Sequence, residues 1–93
     1  MLTYTYIKLD VTKACEDYGG YSVYVYYEGG QPHHLPHCQV RWADGNCQLE
    51  LPTLRLIAGP DVPRKVREYI LENLDAIIAT WNELNPGQTV EQQ

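Results

Sequence analysis

Three histidines lie within five residues of one another, and imidazole side chains can do acid–base chemistry or bind a metal ion. They are His33, His34 and His37, in a segment that also contains Pro32 and Pro36. Because imidazole is a common ligand for zinc, copper and nickel, zinc is the one cofactor that the sequence suggests. However, no Asp or Glu lies within the cluster, and a catalytic zinc site usually has three protein ligands. The alternative is a proline-shaped loop whose histidines are solvated or hydrogen-bond its backbone, with no cofactor.

His37 also begins a strand-like segment, in which alternate residues point to the same face. His37 and Arg41 therefore share one face of the predicted strand. A histidine can act as a general acid or base, and an arginine can stabilise the charge on a phosphate group. One hypothesis is therefore a histidine-dependent, nuclease-like toxin acting on RNA, in which these two residues are catalytic and His33 or His34 assists.

The cysteines show neither a catalytic nor a metal-binding pattern. Cys15, Cys38 and Cys47 have no repeated spacing, and an odd number fits reduced thiols in a cytosolic protein. Neighbours on a strand point to opposite faces, so the thiol beside His37 is expected to be buried in the core and inert. The predicted strand pairing separates Cys38 from Cys47 by about four residues, roughly 13 Å, which is too far for one metal ion.

Seven of the eight tyrosines lie in residues 1–27. Tyrosine contributes a large contact area at low entropic cost, so an exposed group of tyrosines suits a protein partner. The candidate binding residues are Tyr4, Tyr6, Tyr24 and Tyr26. The alternative is that these rings pack under a helix or against one another.

Length and charge indicate one small acidic domain. The 93 residues carry 7 Lys and Arg against 12 Asp and Glu, a formal charge of −5, and 44% are apolar. A chain of this size buries roughly 60–65% of its unfolded surface, enough for one core over residues 1–87 with a disordered tail at 88–93. The charge disfavours nucleic acid, except RNA under the nuclease hypothesis. No apolar run approaches the ~18 residues of a membrane span, so a cytoplasmic location is predicted.

The first half of the chain has the pattern of β-strands. Leu2 to Leu9 is rich in β-favouring residues and predicts a first strand, whereas Asp10 to Gly20 predicts a loop or a single helical turn. Tyr21 to Tyr27 alternates and predicts a central strand. Glu28 to Pro36 is rich in glycine and proline and predicts a wide connection.

The clearest local signal is a β-hairpin. His37 to Ala43 and Asn46 to Thr53 flank Asp44-Gly45, which is typical of a two-residue type I′ turn. If Ala43 faces Asn46, then Trp42 faces Cys47, Val40 faces Leu49 and Cys38 faces Leu51 on the core face. Gln39 then faces Glu50 on the face that lies in water.

The second half predicts one long helix. Apolar residues recur at steps of three and four from Asp61, a plausible N-cap, to the stop signal Asn85-Pro86-Gly87. Leu54 to Pro60, before the helix, is either a continuation of the sheet or a loop over the core. The sequence thus predicts an α+β domain: an antiparallel meander of about four strands with one long C-terminal helix packed on one face.

Three short motifs follow one another between residues 21 and 85. They are Pro36-His37-Cys38-Gln39-Val40, an Asp-Gly hairpin, and a helix of the form Val62-Pro63-x-x-Val66 that runs to Trp81-Asn82-Glu83-Leu84. In this order the chain resembles the bacterial domain of unknown function 4160 family, which typically shows a proline-histidine-x-histidine-valine segment on a strand, a hairpin and a C-terminal helix ending in tryptophan. The resemblance implies a small cytoplasmic protein, often encoded beside another small protein in toxin–antitoxin-like or mobile-element settings.

The chain departs from the family pattern at two places. His37 matches the first histidine of the family segment, but Gln39 occupies the position of the second, and Gly29-Gly30 lies near the usual aspartate-histidine. If the family's histidines form a site, His33 and His34 would have to substitute for the missing ones.

The sequence as a whole favours a protein-interaction module from a toxin–antitoxin-like or phage-defence locus. Small size, acidic charge, the excess of tyrosine and the lack of a complete catalytic constellation support binding to another protein. The aromatic first strand also makes a homodimer plausible. The nuclease hypothesis remains the alternative, so the sequence leaves open whether the protein is an enzyme.

Overall fold

The fold is an antiparallel sheet with helices on one face, which confirms the α+β class. The computed structural model describes residues 11–29 and 35–91. In these residues five strands lie in chain order, each paired with the next. They are β1 Val11–Lys13, β2 Ser22–Tyr26, β3 His37–Trp42, β4 Gly45–Glu50 and β5 Leu56–Ala58. Two helices follow, α1 Arg64–Glu72 and α2 Leu74–Leu84, and then a short 3₁₀ turn at Pro86–Gln88.

The strand count differs from the predicted four. The segment from Asp10 to Gly20, predicted as a loop or helical turn, contains β1, which pairs with β2 through Val11 opposite Tyr26. The predicted strand from Leu2 to Leu9 lies outside the described residues. The undecided segment before the helix forms β5 against β4, so it continues the sheet.

The hairpin is confirmed, but its register is shifted from the predicted one. Trp42 pairs with Gly45, so the turn residues are Ala43 and Asp44. Glycine suits position 45 in this register, because an added Cβ would lie only 2.9 Å from the Trp42 Nε1. The shift is one residue on each strand, so every side chain keeps its predicted face.

The new register brings two cysteines closer together than predicted. Cys38 lies opposite Leu49 and Cys47 opposite Val40, an offset of two residues instead of four. Both are free and buried in the core, and burial raises the pKa of the Cys38 thiol to about 12. The predicted burial of this thiol in the core is confirmed.

One face of the sheet and both helices form the core. The sheet contributes alternate residues of its three central strands, and the helices contribute the apolar stripe predicted from the sequence. The buried side chains are Val23, Val25, Cys38, Val40, Cys47, Leu49, Val66, Ile70, Ile77, Ile78 and Trp81, with Leu51, Leu54, Val62 and Val90 around them.

The predicted single long helix is wrong, because the helix is interrupted at Asn73. The Asn73 side-chain amide donates to the Tyr69 carbonyl at 2.9 Å, and its backbone φ of −105° departs from helical geometry. Asparagine favours such local bonds over helix continuation. Asp61 is not the N-cap, since α1 begins at Arg64 after Pro63. Its carboxylate instead accepts from the Val62 backbone N–H and from Arg67.

The core extends past residue 87, where the sequence predicted a tail. The Asn82 amide bonds both the N–H and the carbonyl of Val90, at 2.6 and 2.8 Å, and Val90 is buried. The Trp81 indole N–H donates to the Gln88 carbonyl at 2.7 Å. The described part of the chain contains no helix long and apolar enough to cross a membrane.

Candidate functional site

The face of the sheet that points away from the helices is polar, and no described element covers it. We call it the open face. Strand alternation and register place one hydrophilic or aromatic side chain after another on it. Its polar and aromatic members are Lys13, Ser22, Tyr24, Tyr26, His37, Gln39, Arg41, Asn46, Gln48 and Glu50, and the apolar Val11 lies on the same face opposite Tyr26.

A shallow cleft of about 310 Å³ lies on the open face, along β3. Its volume is at the lower end of the range of small-ligand sites, about 300–1,000 Å³. The cleft contains both residues that the sequence predicted as catalytic, together with neighbours from three strands and the β2–β3 connection. Its lining is Tyr26, Glu28, His37, Gln39, Arg41 and Gln48.

His37 and Glu28 form an acid–base pair in this cleft. The His37 Nε2 lies 3.4 Å from the Glu28 Oε2, and the two side chains are only 14% and 16% exposed. The His37 Nδ1 lies 2.7 Å from the Leu35 carbonyl oxygen. Because a carbonyl can only accept, Nδ1 carries the proton in that bond, which leaves Nε2 facing the carboxylate. The pair can therefore share, accept or release a proton at Nε2 and Oε2.

A contact with helix α2 fixes the orientation of the His37 ring. The Trp81 ring is fully buried and lies 5.7 Å from the His37 ring, centroid to centroid, at 50°. The contact is possible because His37 is the first residue of β3, at the end of the sheet that the last turn of α2 approaches. The imidazole is thus held by a ring, a carbonyl and a carboxylate.

Asn85 fixes the backbone that carries Glu28. Its Oδ1 accepts the Glu28 backbone N–H at 2.8 Å, and its Nδ2 donates to the Tyr26 carbonyl at 3.0 Å and the Trp81 carbonyl at 3.3 Å. This asparagine is 2% exposed. The sequence indicated Asn85 only as a helix stop, and no spacing signal joins it to Glu28, which lies 57 positions away.

Arg41 is held at the other side of the cleft by neutral groups. Its Nε donates to the Gln39 Oε1 at 3.1 Å and its Nη2 to the Tyr26 hydroxyl oxygen at 2.8 Å. The Tyr26 hydroxyl in turn donates to the same Gln39 oxygen at 2.8 Å. The guanidinium carbon lies 5.4 Å from the centroid of the Tyr24 ring.

No carboxylate among the described residues pairs with Arg41, unlike most other cations of the chain. Lys13 pairs with Asp17, Arg55 with Glu50, Arg64 with Glu68 and Arg67 with Asp61. Arg41 is therefore oriented by hydrogen bonds without being neutralised. Such a guanidinium is a suitable site for an anion.

Glu50 is on the open face but is not part of the acid–base pair. It lies opposite His37 in the register, whereas the sequence predicted it opposite Gln39. Its Oε1 accepts from Arg55 and Thr53, at 3.0 and 2.7 Å, and these bonds hold its pKa below the ordinary value. Glu28, which the sequence indicated only as the start of a loop, is the carboxylate that reaches the histidine.

The other predicted site residues divide into described and undescribed ones. Tyr24 and Tyr26 lie on the open face and contact Arg41, so their rings pack neither under the helices nor against each other. Tyr4, Tyr6, His33 and His34 lie outside the described residues. The described ranges contain no group of three metal-ligating side chains, so the zinc site stays a prediction.

A second cleft of about 250 Å³ lies on the other side of the molecule, between α1 and the β1–β2 loop. There Tyr18 stacks on Tyr69 with ring centroids 4.7 Å apart. The Tyr69 hydroxyl donates to the Glu16 carbonyl. These contacts fasten the loop to the helix, and the cleft has no acid–base pair comparable to Glu28 and His37.

Comparison with known proteins confirms the resemblance seen in the sequence. The model of a family described as a domain of unknown function, DUF4160, matches residues 20–82. This segment contains Glu28, His37, Arg41 and Trp81, whereas Asn85 lies three positions beyond it. No curated protein and no solved structure matches the sequence. Because the match covers well over half of the chain, the protein belongs to the DUF4160 family.

Proposed function

We propose that the protein is an acid–base enzyme that cleaves RNA in the cleft of the open face. The observation that carries this proposal is the combination in one cleft of Arg41, which pairs with no carboxylate of the described residues, with the Glu28–His37 pair. A base that takes the proton of the attacking hydroxyl and a cation that stabilises the phosphate charge both accelerate cleavage of a phosphodiester by an internal hydroxyl.

RNA fits this pair of groups because it contains its own nucleophile. The Glu28–His37 pair removes the proton of a ribose 2′-hydroxyl, and the 2′ oxygen forms a bond to the adjacent phosphorus. The bond from phosphorus to the 5′ oxygen breaks, and that oxygen leaves with a proton from water. The products are a 2′,3′-cyclic phosphate and a 5′-hydroxyl. The pair then returns its proton to water, which restores the enzyme.

Arg41 stabilises the charge that develops on the phosphate. Negative charge accumulates on the non-bridging phosphate oxygens as the new bond forms. The Nε and Nη2 of Arg41 are bonded to Gln39 and Tyr26, which leaves Nη1 without an acceptor among the described residues. A preorganised donor of this kind stabilises transition-state charge without reorganising during the reaction.

The fixed geometry of the histidine also supports catalysis. The ring contacts with Trp81 and the bond to the Leu35 carbonyl set its orientation before substrate binds. The Asn85 amide does the same for the Glu28 backbone. Such support from buried neighbours is what a productive catalytic geometry requires.

The experiment is a cleavage assay on an unstructured RNA, with detection of 2′,3′-cyclic phosphate ends. We expect the purified chain to produce them, and His37→Ala, Glu28→Gln and Arg41→Gln each to lower the rate by about 10²-fold or more. Arg64→Gln, which changes an exposed arginine on α1, is the matched control and should retain full activity. Absence of cleavage by the wild-type chain, or equal cleavage by His37→Ala, would refute the proposal.

A protein-interaction module is a second candidate, because two large exposed side chains lie close in sequence to residues of the cleft. Tyr27 is 50% exposed and adjoins Glu28, and Leu35 is 49% exposed and lies two residues before His37. A protein that covers the cleft would bury both, as the inhibitory partner of a toxin does in a toxin–antitoxin-like or phage-defence setting. Interfaces are enriched in such aromatic side chains.

Capture of a partner and hydrogen exchange of the complex test this candidate. A partner that binds through the cleft should protect the amides of residues 26–28 and 35–41. Tyr27→Ser should weaken binding, whereas Leu71→Ser, at an equally exposed site on α1, should not. Protection confined to the helices would contradict the candidate.

A further inference from the structure

A row of side chains crosses the open face and shares Gln39 and Gln48 with the cleft. The register pairs Lys13 with Tyr24, Tyr24 with Gln39 and Gln39 with Gln48, so these residues lie side by side across β1 to β4. Adjacent strands are about 4.8 Å apart, and the row therefore spans about 14 Å. This length accommodates two extended nucleotides.

The row contains an aromatic ring with two cations beside it. The Arg41 guanidinium carbon lies 5.4 Å and the Lys13 Nζ 5.9 Å from the centroid of the half-buried Tyr24 ring. Lys13 also forms an exposed ion pair with Asp17 at 3.0 Å, a kind of pair that holds a lysine only weakly. An aromatic ring flanked by cations is the arrangement that binds a base by stacking and its phosphates by charge.

One amide of the row is available to a ligand. The Gln39 side chain is occupied by Tyr26, Arg41 and Asn46. The side chain of Gln48, which lines the cleft, makes no hydrogen bond to any described residue. Its amide can both donate to and accept from the edge of a base.

We propose that the ligand of the open face is single-stranded RNA, with one base on the Tyr24–Arg41 stack and the adjoining phosphate near Lys13. This inference rests on the proposed function for its cleavage step and names the substrate class. Bases of an A-form duplex are paired and stacked inside the helix, so they cannot reach a ring that lies on a sheet. Stacking tolerates any base, and the row therefore selects for single strands more than for sequence.

The test measures binding separately from cleavage. The probe is a fluorescent octanucleotide with 2′-O-methyl riboses, which lacks the attacking hydroxyl, either alone or annealed to its complement. We expect the full chain to bind the single strand at least tenfold more tightly than the duplex. Tyr24→Leu should weaken single-strand binding about tenfold, while Tyr24→Phe stays within twofold of wild type. Tyr18→Leu, in the distant second cleft, is the control.

The outcomes separate this inference from the proposed function. Equal binding of the two probes, no binding of either, or unchanged binding by Tyr24→Leu would overturn the inference, even if the chain cleaves RNA in a His37-dependent way. Single-strand preference with the expected Tyr24 effect, but without cleavage of unmodified RNA, would overturn the proposed function and retain the single strand as ligand. Single-strand preference together with His37-dependent cleavage supports both.

Discussion

The side-chain oxygen of Asn85 accepts a hydrogen bond from the backbone N–H of Glu28 at 2.8 Å. The bond joins the end of α2 to the end of β2, and it places a carboxylate beside His37. The same amide binds the Tyr26 carbonyl, so one buried side chain fixes two backbone groups of the cleft. The candidate site is therefore built by the helix layer as much as by the sheet.

Replacement of Asn85 tests how much these hydrogen bonds stabilise the fold. We expect Asn85→Ala to lower the free energy of unfolding by about 2–3 kcal/mol, because the Glu28 N–H and the Tyr26 carbonyl lose a buried partner. Urea denaturation measures the change. Asn82→Ala is the matched control, since its amide also makes two bonds, to Val90, but Asn82 is half-exposed, so water can replace them and the loss should be about 1 kcal/mol. Equal losses of unfolding free energy in the two variants would contradict this role of Asn85.

Phosphate should stabilise the protein through Arg41. An anion that binds only the native state stabilises it by RT ln(1 + [L]/Kd), about 1.4 kcal/mol at ten times the Kd. We therefore expect inorganic phosphate to raise the melting temperature of the wild type and of Arg64→Gln, but not of Arg41→Gln. Calorimetric scans at increasing phosphate and constant ionic strength provide the measurement. A similar rise in all three proteins would place the anion elsewhere.

Stability should fall at alkaline pH because of Cys38. Burial raises the pKa of this thiol from the ordinary 9.0 to about 12. Above pH 9 the unfolded thiol loses its proton while the native thiol keeps it, so stability is complete below pH 9 and decreases as pH rises. The slope for one proton is at most about 1.4 kcal/mol per pH unit.

Urea unfolding between pH 8 and pH 10.5 measures that slope. Cys38→Ala is less stable at every pH because it leaves a cavity, but its stability should depend less on pH than that of the wild type. Cys15→Ala removes a thiol that is only half-buried and should change the slope less. An unchanged slope in Cys38→Ala would contradict the prediction.

Gly59 should tolerate no side chain, in contrast to Gly87. Gly59 has a φ of +83°, and an added Cβ would lie 2.4 Å from the Asn46 carbonyl oxygen. We expect Gly59→Ala to cost about 2–4 kcal/mol from the left-handed backbone and the clash with β4. Gly87→Ala meets no atom within 4 Å and should cost less than about 0.5 kcal/mol. Thermal unfolding compares the two, and equal melting temperatures would contradict the structure at β5.

The sequence predicted which residues face the core better than it predicted how elements pair or end. Alternation in β3 and β4 identifies the buried residues Val40 and Leu49, because side-chain direction in a strand has period two. Moving the turn by one residue on each strand preserves that alternation, so the pattern alone did not exclude the wrong register. The apolar stripe likewise keeps its spacing before and after Asn73, so the pattern did not reveal the interruption between α1 and α2.

The candidate site could be predicted only where its residues share an element. His37 and Arg41 lie on one strand, and their even spacing indicated a common face. Glu28 and Asn85 reach the cleft from a loop and a helix end, through contacts that connect residues far apart in sequence. Sequence spacing carries no information on such contacts, which depend on how the helices lie on the sheet.

RNA binding should depend only weakly on salt, because few cations lie on the open face. The chain has a net charge of −5, so its overall field opposes a polyanion and binding relies on local contacts. Lys13 and Arg41 are the two cations beside Tyr24. Each phosphate contact with a single strand contributes about −0.7 to the slope of log K against log salt, which gives about −1.4 for two contacts.

Titration of the 2′-O-methyl octanucleotide at several salt concentrations measures this slope. Lys13→Gln removes one of the two contacts and should reduce the slope to about −0.7, with a modest loss of affinity. Lys65→Gln, on α1, changes the net charge equally and should leave the slope near −1.4. A wild-type slope of about −3 or steeper would mean that four or more phosphates are contacted, and the ligand would then extend beyond the row from Lys13 to Gln48.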